Sequence, residues 1–169
     1  MILEILTYLT ALAGMACLIV FGRIRLKSQK HELILISIFW LFGVLFHLTT
    51  LTAFVKPVFI ILGPAVLLAF LFGLRALAHK QNQPFALDRH TCLFLAGAGL
   101  WLGLEGGLLA LILGSLAGLV YGAYQSIRED YPDLSIASFL AYKIPTAQSY
   151  AIGIFLSAIW TYKSAFGFV

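Results

Sequence analysis

Nine of the eleven Lys and Arg residues in this 169-residue chain gather in every second gap between long apolar runs. That alternation constrains the fold more than any motif does, because it leaves few ways of threading the chain through a bilayer. The apolar runs cover roughly 2–22, 33–55, 57–78, 91–104, 107–127 and 145–162. At 1.5 Å per residue most can cross a hydrocarbon core of ~30 Å as a helix, the fourth only if its helix begins a few residues earlier. Arg23, Arg25, Lys27 and Lys30 mark the first gap, Arg75, Lys80 and Arg89 the third, and Arg128 and Lys143 the fifth, whereas the other side holds only Lys56 and Lys163. The positive-inside rule then predicts an all-α, polytopic membrane helix bundle of six transmembrane helices, with both termini outside. A five-helix alternative would run 91–127 as one helix. The six-helix reading is preferred because Glu105, Gly106 and Gly107 interrupt that stretch and a carboxylate is costly at mid-membrane.

The composition, 62% apolar and 11% charged, describes a chain whose solvent is lipid. The net charge of +4 is accounted for by topology and anionic lipid, with no nucleic-acid partner implied. No polar stretch is long enough to fold alone, so residues 1–169 are read as a single transmembrane domain. Glu4 and the missing basic n-region argue that the first segment is a retained helix rather than a secretory signal. Cys17 sits in a poor lipobox. Cys17 and Cys92, both in apolar context, read as small core residues rather than a disulfide or a metal pair.

Gly114, Gly118 and Gly122 repeat at four-residue spacing in the fifth segment, and Gly99 and Gly103 do so in the fourth. Such stripes let helix backbones approach closely, so these five glycines are candidate packing positions. A tight hairpin turned by Glu105-Gly106-Gly107 is expected between the two segments. Pro57 and Pro145 suit first-turn positions, and Pro64 should bend the third helix. Tyr121, Tyr124, Tyr142, Trp160 and Tyr162 lie near segment ends, where interfacial anchors are found.

Ionisable groups cluster on the side assigned to the cytoplasm, with His31 and Glu32 opening the second segment and His79, Asp88 and His90 preceding the fourth. Two carboxylates meeting at a membrane surface can share a proton and activate water. The alternative is that loops are polar because water is there. His47 lies within the second segment with no second histidine at membrane depth to complete a haem site, so a satisfied or pore-facing imidazole is expected. His31, His79 and His90 have no diagnostic metal-ligand spacing, and no nucleotide-binding or nucleophile motif is present; neither metal nor cofactor is called. Only His47 and Glu105 approach membrane depth, which fits a transporter poorly.

Ala96-Gly97-Ala98-Gly99-Leu100-Trp101-Leu102-Gly103, the apolar stretch from Leu108 to Gly122, and Lys143-Ile144-Pro145 followed by Tyr150-Ala151-Ile152-Gly153 occur in an order that resembles the short form of the type IV prepilin peptidases. These are six-helix membrane aspartyl proteases that cut pilin leaders at the cytoplasmic face. The likeness covers roughly residues 85–160, and the first 80 only by topology. It implies a bacterial inner-membrane protein and a catalytic pair of aspartates, the first shortly before an I-P-N motif and the second in a G-x-G-D motif.

This chain departs from that pattern at the chemistry. It has no aspartate before Asp88, and Gln29-Lys30-His31-Glu32 occupies the I-P-N region. Without gaps the second aspartate falls on Thr91; Asp88 takes the role only if three extra residues precede Gly99, and Phe85-Ala86-Leu87 replaces the glycines either way. Glu32 and Asp88 are therefore the candidate catalytic residues of an altered pair. The expectation is a pseudoenzyme holding a pilin-like or other membrane helix in a groove between the first, second and fourth helices. The alternatives are an active Glu32/Asp88 peptidase and an assembly subunit of a larger membrane complex contacting its neighbours through Gly114, Gly118 and Gly122.

Overall fold

In lipid the backbone has to satisfy its own hydrogen bonds, which drives uninterrupted apolar segments into helices. The computed structural model describes residues 2–23, 29–51, 53–82, 87–128 and 146–163, and the ordered elements among them are all helical. They are α1 (Ile2–Arg23), α2 (Gln29–Thr49), α3 (Pro57–Lys80), α4 (Arg89–Arg128) and α5 (Thr146–Thr161). Four of the five, α1 to α4, are long and apolar enough to cross a membrane. Pro57 opens α3, and the helix continues through Pro64, which is buried. Pro145 and Tyr142 lie outside the described residues.

Two elements differ from the sequence reading, and each has a local cause. α2 ends at Thr49, because Leu51 takes a left-handed φ of 50° of the kind that closes a helix C-terminus. Residues 53–56 then cross to α3 without helix. The second difference lies in α4, where residues 91–104 and 107–127 form one helical element broken at Gly103 (φ 71°, ψ −174°). Unbroken, its 40 residues would reach ~60 Å, twice the hydrocarbon thickness. Instead the chain doubles back. A Cβ added to Gly107 would stand 2.9 Å from Gly99 Cα, although the two residues would be ~12 Å apart along a straight helix. The reversal falls at Gly103, ahead of the expected Glu105-Gly106-Gly107, because only glycine adopts that φ/ψ readily. Glu105 is exposed in the limb that follows.

The first limb of α4, residues 89–102, is the centre of the bundle, with Cys92, Phe94, Leu95, Ala96 and Ala98 fully buried. α3 lies against it where Gly63 meets Gly99 and Gly103, a Cβ on Gly63 standing 2.9 Å from a backbone carbon of each. The second limb, 104–128, receives α5 through Gly153, whose added Cβ would be 2.7 Å from Gly114 Cα. Between helices in lipid the hydrophobic effect contributes little, so such backbone approaches supply the van der Waals contact that holds them.

α1 and α2 close the other side of the first limb with aromatic rings. Phe21 stacks on Phe94 at 3.8 Å, Phe94 on Phe39 at 4.4 Å, and Phe39 on Trp101 at 5.7 Å. Trp101 occupies a slot opened by two glycines: a Cβ on Gly14 would fall 2.5 Å from its ring, and one on Gly43 2.8 Å. The Trp101 indole N–H donates to Phe39 O at 2.9 Å, and that of Trp40 to Leu93 O at 3.1 Å. The groove expected between the first, second and fourth helices is therefore filled by this chain's own rings.

Candidate functional site

These pairings give the bundle two chemically distinct ends. At one, Gly22 approaches Ala151 and Glu32 meets His90; at the other, Val55 covers Gly103 and Gly106 lies beside Thr161. His31 and Glu32 in the first turn of α2, His79 and Lys80 in the last turn of α3, and Asp88, Arg89 and His90 at the start of α4 all belong to the first end. The clustering inferred from sequence is thus reproduced by the helix directions.

Each candidate acid has a partner other than the second acid. His90 Nδ1 lies 2.8 Å from Glu32 Oε2, with the side chains 14% and 23% exposed. This contact is an ion pair when the imidazole is protonated and an N–H···O bond when it is neutral. Asp88 precedes α4 and accepts the Thr91 backbone N–H at 2.6 Å through Oδ1. That is N-cap geometry, which satisfies one of the helix's orphan donors and contributes about 1 kcal/mol. Thr91, where the ungapped comparison would put an aspartate, is itself 2% exposed.

Sequence reasoning gave no role to His90 as the partner of Glu32, because nothing local links residues 58 positions apart. It also missed Arg75, a half-buried side chain of α3 whose Nη1 is buried and has no hydrogen-bond partner. Cys17 and Cys92 are free and buried. Among the described residues, no three His, Cys, Asp or Glu side chains converge as a metal site.

The opposite end answers the question of His47. It is 5% exposed, and its Nε2–H donates to Leu100 O at 2.8 Å and Trp101 O at 3.1 Å. Both carbonyls belong to the last turn before the Gly103 break, where helix ends leave acceptors without internal partners. Carbonyls cannot donate, so the proton sits on Nε2; Nδ1 is buried and has no partner. Tyr162 O–H donates to the same Trp101 carbonyl, and its ring packs edge-on against Phe46 and Phe54. Tyr162 is therefore an interior donor and not the interfacial anchor expected from its position. Trp160 does face outward, 63% exposed, with Lys163 Nζ 4.4 Å from its ring centroid, and Tyr121 and Tyr124 are exposed as well.

Of the five candidate packing glycines, Gly99 lies between Gly63 and Leu67, Gly103 forms the break beneath Val55, and Gly114 is covered by Tyr150. Gly118 and Gly122 are buried. Gly114 thus faces a helix of its own chain. Comparison with protein-family models, curated proteins and solved structures gives no match for this chain.

Proposed function

We propose that this protein is a non-catalytic membrane protein with prepilin-peptidase-like topology, residing in a bacterial inner membrane and binding a pilin-like or other membrane-crossing helix rather than cutting it. The observation that carries this reading is the engagement of both candidate acids: Glu32 is held by His90 and Asp88 caps α4. Dyad hydrolysis requires two carboxylates to share a proton over one water. Here one carboxylate faces an imidazole and the other a backbone N–H, so neither is arranged to act on the other. The partner helix rests on the outer surface of the bundle, because rings close the space between α1, α2 and α4.

The test is co-expression with a panel of pilin-type precursors in cells lacking their own peptidase, beside Asp88→Asn and Glu32→Gln. The expected outcome is unprocessed precursor throughout, with a photo-crosslinked adduct to the wild-type chain. Processed pilin that disappears in either variant would overturn the reading and establish the two acids as a working pair. Absence of any adduct would instead favour an assembly subunit of a larger complex, although Gly114, one of the glycines such contacts would use, is already covered within the chain.

The topology belongs to the same proposal. α1, α2, α3, the two limbs of α4 and α5 make six passes, with both termini outside. Two facts support it: the fold-back at Gly103, and the collection of Lys30, Lys80 and Arg89 at the end opposite Lys56 and Lys163. Alkaline phosphatase fused after Lys80 should be inactive, and after Lys163 active, since the enzyme folds only outside the cytoplasm. The reverse pattern would invert the orientation.

A further inference from the structure

A guanidinium keeps its charge at any physiological pH, so an Arg nitrogen that is buried without a hydrogen bond marks a place where something anionic belongs. Arg75 Nη1 is such an atom. Its depth narrows the partner. Arg75 is the nineteenth of the 24 residues of α3, ~27 Å along the axis from Pro57, while the hydrocarbon core measures ~30 Å. With Pro57 at one boundary, Arg75 reaches the other, which is the level of lipid phosphates.

The surrounding charges agree. Arg75 belongs to α3, which packs on α4, and it acts electrostatically, as Asp88 does, on Cys92 buried in the first limb of α4. Among the described residues Arg75 forms no ion pair. Glu32 is taken by His90, and the Asp88 carboxylate is turned onto the Thr91 N–H. Exposed Lys30, Lys80 and Arg89 stand at the same end, so with Arg75 the fixed cations outnumber the two carboxylates of Glu32 and Asp88. The carboxylates would repel an incoming anion, and the four cations outweigh them. Arg, unlike Lys, offers a planar fork that matches two phosphate oxygens at once.

We infer that Arg75 binds the phosphate of an anionic lipid headgroup at the seam between α3 and the first limb of α4. Free inorganic phosphate has the same chemistry, and the depth of the residue favours the lipid. The experiment is native mass spectrometry of the full chain released from discs of mixed phosphatidylglycerol and phosphatidylcholine, with Arg75→Gln, Arg75→Lys and Lys80→Gln in parallel. One phosphatidylglycerol should be retained by the wild type in preference to phosphatidylcholine. Arg75→Gln should lower that preference by about tenfold, as expected for a charged hydrogen bond. Arg75→Lys should keep part of it, and Lys80→Gln nearly all. No preference in the wild type, or an undiminished preference in Arg75→Gln, overturns the inference. Equal thermal protection of the wild type by inorganic phosphate in neutral detergent would reassign the site to a soluble anion. Should Arg75→Gln fail to elute as a single species, the wild type and Arg75→Lys decide the matter alone.

Discussion

Replacing Gly103 by alanine is expected to remove about 2–6 kcal/mol of stability. Two effects add. The backbone at φ 71°, ψ −174° is open to glycine and closed to other residues, a strain of about 1–3 kcal/mol for any side chain forced into it. The added Cβ would also stand 2.7 Å from Val55 Cγ1 and 3.4 Å from Phe59 Cβ, so the loop before α3 has to move, at about 1–3 kcal/mol for overpacking. Unfolding by sodium dodecyl sulfate in mixed micelles, followed by far-ultraviolet circular dichroism, measures the sum. A midpoint equal to that of the wild type would mean that the break is not where the fold depends on it.

Gly153→Ala is expected to be nearly as harmful, for a purely steric reason. The new Cβ would fall 2.7 Å from Gly114 Cα and closer still to the Ala110 carbonyl and the Gly114 nitrogen. Backbone cannot rotate away as a side chain can, so α5 must shift outward along its contact with the second limb. A loss of about 2–3 kcal/mol follows, partly masked by the ~1 kcal/mol that alanine gains over glycine inside a helix. Gly73→Ala isolates that gain, because a Cβ there meets nothing within 4 Å. Gly73→Ala should leave the midpoint unchanged or raise it while Gly153→Ala lowers it; equal shifts in the two variants would rule out close packing of α5.

What the sequence revealed and what it concealed divide along the range of the interactions. Apolar runs, the cluster of His31, Glu32, His79, Asp88 and His90 at one end, and a reversal between residues 99 and 107 are local patterns, readable from hydropathy and glycine spacing. The site of the reversal is not legible in this way, because Glu105-Gly106-Gly107 has the more turn-like composition, whereas Gly103 is where Val55 covers the chain. The place of Tyr162 at a segment end suggests an interface, and only the fold shows that a carbonyl needs its hydroxyl. The pairing of Glu32 with His90 was hidden for the same reason as the Trp101 slot. Both depend on residues far apart in sequence, and no periodicity encodes them.

The Trp101 carbonyl also bears on the order in which the molecule can be completed. It receives His47 from α2 and Tyr162 from the end of α5, so one oxygen ties together three helices made at very different times during synthesis. As the chain leaves the ribosome, α2 and the first limb of α4 meet early, and the His47 half of the joint can close while α5 has yet to be made. The reversal at Gly103 must therefore survive for a time on half of its fastening, and Tyr162 acts as the bolt. A nascent chain arrested before Tyr162 would have the whole of α4 and still lack the element that secures its bend.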